Sequence, residues 1–317
     1  MKTGYMGSIL ALAIALAVPH AAEAGQVEIT GSGNAPQTEA PDLLGGCPAE
    51  VVAFHRCAME TAETFEPPRT PEGRPDMGGF WRSRLTQAYS VEGVDGSEPL
   101  VGDLVMPWTI SPAVVIDPAD GNIPYQPWAA PIGRLGRNYD DYIDPRTACG
   151  PGGVPRLALQ DSSQILQPWG DDQILWLHED HHINRIVSMD DDGPALAENI
   201  KLWQGDSRGH WEGNTLVIDV TNLNGYTWMD DAGNFYSDTA HLVERLTLVD
   251  ADTIHYEVTV EDPNVFTQPW TVVWALTRIP TPGFELLEEA CWEGERDLPR
   301  ILEEGYKHYF GDPWKTR

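Results

Sequence analysis

The clearest pattern along this chain is a two-residue alternation in its second half. Ile254, Tyr256, Val258 and Val260 alternate with His255, Glu257, Thr259 and Glu261. That period, filled with β-branched and aromatic residues, predicts a half-buried antiparallel strand. Thr215 to Val220 reads as a strand after the turn Glu212-Gly213-Asn214, and Leu242 to Val249 as another, ended by Asp250-Ala251-Asp252. Trp270 to Ile279 continues the meander and Phe284 to Trp292 is expected to close it. Val114-Val115-Ile116 is a short apolar run ahead of Asp117-Pro118. Strands this closely spaced favour a mainly β fold, an antiparallel meander arranged as a barrel or sandwich, over βαβ units. Residues 123–156, rich in Pro and Gly, are expected to wrap the surface.

Helices are expected only at the two ends. Residues 47–64 suit a short N-terminal helix, and Ile301 to Tyr309 a C-terminal one weakened by Gly305. Lys2, the apolar run Ile9 to Val18 and Ala22-Glu23-Ala24 have the order of a signal peptide and its cleavage site. The expected organisation is therefore a signal at 1–24, a flexible segment at 25–77, a β-rich domain at 78–300 and a tail at 301–317. No later apolar run has membrane length. The expectation is a periplasmic or secreted protein, without membrane insertion.

The formal net charge of −29 disfavours nucleic acid and anionic lipid as partners. Cys47, Cys57, Cys149 and Cys291 are an even set suited to an oxidising compartment. The local pair Cys47–Cys57 is the first choice of bridge, with Cys149–Cys291 the second, although four cysteines allow three connectivities. Twelve tryptophans suit a core, or a surface for a carbohydrate or aromatic ligand.

Candidate chemistry is densest between Gln173 and Ser188. His178-Glu179-Asp180-His181-His182 satisfies H-E-x-x-H, which on a helix would let His178 and His182 hold a divalent metal, with Glu198 or Glu212 as a third ligand. The other reading is a strand or hairpin. A continuous strand would put Glu179, His181 and Arg185 on one face, with Glu179 and Arg185 about 20 Å apart. A turn near Asp180 to His182 would instead put Glu179 and Arg185 on neighbouring strands. His178 and His182 then read as solvated residues at a hairpin tip.

Glu244 shares a strand face with Leu242, Leu246 and Leu248, so inward leucines would bury a carboxylate. Such a group needs a partner, for which Arg185 and Arg278 are the candidates, or its proton affinity rises. Asp230 and His241 flank an Asp-rich stretch of turns that could line a cavity mouth. Gly205-Asp206-Ser207-Arg208-Gly209 matches G-x-S-x-G but lacks the strand-to-helix context of a nucleophile elbow, and is expected to be a loop. No phosphate loop or dinucleotide fingerprint is present.

Five blocks occur together: Ile123-Pro124-Tyr125-Gln126-Pro127-Trp128-Ala129-Ala130; Asp144 to Arg156; Gly209-His210-Trp211-Glu212-Gly213-Asn214-Thr215-Leu216-Val217-Ile218-Asp219; His241-Leu242-Val243-Glu244-Arg245-Leu246; and Phe284-Glu285-Leu286-Leu287-Glu288 leading to Cys291. As a set, over residues 78–297, they resemble a large family of exported bacterial β-rich proteins. The resemblance transfers no reaction. It implies that residues placed like Glu179, Arg185, Glu244 and Arg245 are typical, whereas histidines placed like His178, His181 and His182 are not constant.

The sequence thus supports an exported enzyme acting on a small, partly apolar molecule by acid/base chemistry, as a lyase, isomerase or hydratase. Glu179 and Glu244 would be the acid/base pair, His181 would assist, and Arg185, Asp230 and His241 would bind substrate. No organic cofactor is expected. The alternatives are a non-catalytic small-molecule binding protein and a metal-dependent hydrolase using His178 and His182.

Overall fold

The computed structural model describes residues 43–84, 90–93, 113–135, 144–159, 162–168, 170, 172–189 and 196–291, all within one compact unit. The signal segment and the helix expected at 301–309 lie outside the described residues.

Nine strands close into a barrel. In chain order they are β3 (Gly79–Ser83), β5 (Ser162–Leu166), β6 (Gln173–His178), β7 (Asn184–Ser188), β8 (Asp206–Glu212), β9 (Thr215–Thr221), β10 (His241–Asp250), β11 (Thr253–Glu261) and β12 (Trp270–Arg278). Two further pairs of residues, β1 (Leu43–Leu44) and β2 (Cys47–Pro48), form a separate ribbon, and β4 (Val115–Asp117) pairs with the start of β12, along the edge whose far end pairs with β3. All neighbours in the barrel are antiparallel except β7 and β8.

The alternation read from the sequence sets the inner face. Leu242, Glu244, Leu246 and Leu248 point inward from β10, and Ile254, Tyr256, Val258 and Val260 from β11, all buried. They join Leu216, Ile218, Val220, Trp270, Val272, Trp274 and Leu276 in one core. Burying such a set is the main term favouring the fold.

Closure differs from the expectation. Phe284 to Ala290 is not a strand. Instead β3 sits between β12 and β5, pairing Trp81 with Arg278 on one side and with Ser163 on the other. Arg278 also stacks 4.2 Å over the Trp81 ring. A lone early strand can close a barrel because closure removes the two free edges a meander would otherwise leave.

Outside the barrel, helix α1 (Val51–Ala62) is capped by Glu50, whose carboxylate accepts from the Val52 and Ala53 amides. Phe54 and Ala58, four residues apart on its inner face, pack on Val249, Val273 and Ala275 from the outer faces of β10 and β12. A shorter helix, α2 (Ala130–Leu135), follows β4 in the chain. The Cys47–Cys57 disulfide ties α1 to β2, and Cys149–Cys291 joins the middle of the chain to its end. Both match the pairing favoured from the sequence. Among the described residues no helix is long and apolar enough to cross a membrane.

Candidate functional site

The end of the segment expected to wrap the surface instead turns into the barrel. From Gly152 the chain turns inward and forms α3 (Arg156–Leu159), a single turn with all four residues buried. Gly153 makes this possible: its φ is +69°, and a Cβ there would lie 2.4 Å from Thr227 Oγ1. Tyr236 Oη donates to the Val154 carbonyl at 2.8 Å, and Trp274 Nε1 to the Ala158 carbonyl at 3.1 Å. Arg156, only 1% exposed, donates to both carboxylate oxygens of Asp144, at 2.8 and 2.6 Å, and pairs with Asp231. Burial alone would favour its neutral form, but those two carboxylates hold the guanidinium firmly protonated. The plug is therefore pinned at its base by buried charge and along its length by hydrogen bonds.

Beneath the plug lies a polar cluster in an apolar shell. Val154, Pro155, Leu157 and Ala158 roof a hollow whose other walls are Trp176, His178, Arg185, Glu244 and Tyr256. The space between these residues is too narrow for a whole water molecule. Arg185 Nη1 donates to Glu244 Oε1 at 3.0 Å, Nη2 donates to Oε2, and Nε donates to Ser207 Oγ at 2.9 Å. Tyr256 Oη donates to Glu244 Oε1 as well. Burial opposes the Arg185 charge, yet Glu244 more than compensates and raises its proton affinity. Burial first and Glu244 second push the Tyr256 phenol well above its ordinary range.

His178 completes the cluster without joining it. It is 4% exposed and stacks on Trp176 with ring centroids 5.3 Å apart. Neither ring nitrogen meets hydrogen-bond geometry, although the Leu157 backbone lies near enough to favour the cation weakly. Burial, then the Arg185 charge, lower its pKa to about 3, so the imidazole is neutral. A buried imidazole with an uncommitted lone pair beside an ion pair is both costly and chemically available.

The structure sorts the other candidates. Gln173 to Ser188 is a hairpin, as the second reading had it, with a 3₁₀ turn over Asp180–His182. The helix that H-E-x-x-H needs does not form: His181 and His182 take positive φ, and the motif's two imidazoles part company. His178 faces the hollow, whereas His182 is exposed, with Nδ1 at 3.2 Å from the Glu289 carbonyl. The expectation of a solvated tip therefore holds for His182 and fails for His178. Glu198 is exposed, and Glu212 pairs outside the barrel with Arg245.

Glu179 and Arg185 do not meet. Trp176 pairs with Arg185 and His178 N–H donates to the Ile183 carbonyl, so Glu179 falls past the end of the ladder, where it accepts from the Leu287 amide at 3.2 Å. Glu179 therefore lies outside the hollow that holds Glu244. His181 sits in the turn of the hairpin, its Nδ1 2.8 Å from Asp180 Oδ1. Asp180 raises the His181 pKa, and His181 with Arg146 outweighs burial to hold Asp180 at about 2.

Neither Asp230 nor His241 borders the hollow under α3. Asp230 is fully buried and spends its carboxylate on the amides of Val91, Ala232, Gly233 and Asn234 and on the Asn234 side chain, although burial still raises its pKa to about 6. It is the keystone of a turn. His241 points outward from β10, 3.0 Å from Asp219. Ser207 lies on strand β8 rather than in a loop, and its inward hydroxyl accepts from Arg185. Tyr256, Trp176 and the plug were not among the sequence candidates. The phase Ile174, Trp176, His178, all inward on β6, was the available signal for His178.

Comparison of the chain with protein-family models, with curated proteins and with solved structures finds no match. Two disulfides point to a setting outside the cytoplasm.

Proposed function

We propose that this protein is an exported enzyme that moves a proton on a small, partly apolar molecule admitted to the barrel when α3 withdraws. The observation that carries this reading is the neutral, uncommitted imidazole of His178 set beside the Arg185–Glu244–Tyr256 network. His178 is the base in place of Glu179, its proton affinity rising again when α3 withdraws and the burial that lowers it is relieved. It takes a proton from a carbon next to a carbonyl or carboxyl group, and the electron pair left behind moves onto the substrate oxygen. Arg185 stabilises that oxygen: after its bonds to Glu244, each terminal nitrogen retains a second N–H. Return of the proton to a different carbon gives isomerisation. Departure of a group from the neighbouring carbon with its bonding electrons gives elimination. Glu244 keeps the guanidinium charged and oriented and does not itself transfer the proton.

A non-catalytic binding protein is the second reading. The close fit of the plug over an already neutralised ion pair favours it, because both Glu244 oxygens are engaged.

The test is deuterium uptake. A panel of small ketones, aldehydes and carboxylic acids is incubated with the protein in D₂O and followed by NMR. The enzyme reading expects exchange into at least one compound, lost in His178→Gln while the fold is retained. Binding by saturation transfer without exchange anywhere in the panel would replace it with the binding reading. Neither binding nor exchange would end both.

A further inference from the structure

A second constellation of chemically able side chains lies on the far side of the barrel wall. His255 and Glu257 are two residues apart on β11, so both point outward. Opposite them, α1 presents His55. His55 Nδ1 is 3.0 Å from His255 Nε2 and 3.6 Å from Glu257 Oε2, and one ligand atom from each residue lies within 4.8 Å of the other two. From these distances we propose that His55, His255 and Glu257 form a zinc site that staples α1 to the barrel.

The dimensions suit the ion. Tetrahedral zinc with bonds of about 2.0–2.1 Å separates its ligand atoms by about 3.3 Å. The two separations from His55 straddle that value, and the third, between His255 and Glu257, is within 4.8 Å, so side-chain adjustment alone would seat the metal. Two imidazole nitrogens and a carboxylate oxygen are zinc's preferred ligands after thiolates, and water takes the fourth position.

The surroundings are also those of a metal site. His255 is 1% exposed and packed against Phe54, with ring centroids 5.6 Å apart, which fixes its ring. The His55 and Glu257 side chains are 30% and 19% exposed, which leaves an opening to solvent. Across the ladder, Arg245 is the basic neighbour of Glu257, but it turns away to Glu212. The remaining cross-strand neighbours, Thr247, Ala275 and Val273, carry no charge. The Cys47–Cys57 bridge holds β2 to the helix on the turn next to His55.

The experiment uses the full chain, freed of metal with a chelator, dialysed against zinc alone and analysed for bound zinc. Wild type and His181→Ala, which removes the histidine beside Asp180 and Glu289, are each expected to retain one zinc per chain. His55→Ala should retain none, and Glu257→Ala should bind at least tenfold more weakly. Zinc should raise the melting temperature of wild type and leave that of His55→Ala unchanged. His55→Gln serves as the second variant if the alanine form unfolds. Equal zinc in wild type and both His55 variants, its loss in His181→Ala, or no zinc in wild type would each overturn the proposal and leave a plain imidazole–imidazole hydrogen bond.

Discussion

Arg185 and Glu244 meet inside the barrel from strands that are not neighbours, β7 and β10, with β8 and β9 between them. Ser207, from β8, supports the guanidinium on its Nε side. The pair therefore braces the barrel across its interior rather than along its wall.

Removing one partner should cost far more than removing both. Arg185→Met leaves the Glu244 carboxylate buried with no cation, and a loss of about 3–5 kcal/mol is expected in urea unfolding. Arg185→Met combined with Glu244→Met should recover much of that loss. A double variant as unstable as the single one would mean that the pair is not the dominant polar interaction there.

Acid should destabilise the fold through its buried imidazoles. His178 and His255 fall to about 3 in the folded chain from an ordinary 6.5, so the unfolded chain binds more protons between those values. Their contribution is intact above about pH 6.5 and is lost as pH falls toward 3. Asp230 and His181, whose pKa values are raised, act in the opposite sense. A variant therefore isolates the effect. In chelator-treated protein, His178→Gln should lose about 1 kcal/mol less stability than wild type between pH 7 and pH 5.5. Parallel pH profiles for the two proteins would contradict the neutral, buried state of His178.

Gly153→Ala should dislodge the plug without melting the wall. The added methyl lies too close to Thr227, and the positive φ penalises any side chain, so a cost of about 1–3 kcal/mol is expected. Amide exchange should quicken from Val154 to Leu159 and stay slow in β10 to β12. Uniform acceleration would show that the plug and the barrel form a single cooperative unit.

The two disulfides should control different parts of the molecule. Cys149→Ala with Cys291→Ala frees the chain leading into the plug, whereas Cys47→Ala with Cys57→Ala frees α1. Hydrogen exchange is expected to rise near Gly150–Leu159 in the first variant and near Val51–Ala62 in the second. The first also removes a far longer loop constraint from the unfolded chain, so it should be the more destabilising of the two.

How much of this was readable in the sequence follows from which interactions are local. β9 to β12 announce themselves by runs rich in β-branched, aromatic and leucine residues, and the burial of Glu244 followed from its phase among leucines. β3 and β5 are short, and β3 is placed by partners distant in the chain, β5 and β12. The plug looked like surface because Pro and Gly usually mark exposed turns; here they let the backbone pass close to Thr227. His178 looked solvated because it stands next to the expected hairpin tip, yet it is the last residue of β6 and its imidazole turns inward before the chain bends. Asp230 was legible as a turn residue, while its burial depends on Val91 and Asn234.

The parallel junction of β7 and β8 is held by short pairing, Val187 with Ser207 and Ser188 with Arg208. Every other wall contact in the two arcs it joins, β5 to β7 and β8 to β12, comes from antiparallel neighbours close in sequence. The arcs are thus suited to assemble early and separately, with this seam zipping late and yielding first under mechanical load. Since Arg185 and Ser207 stand on its two sides, their hydrogen bond acts as a rivet through the thinnest join in the wall.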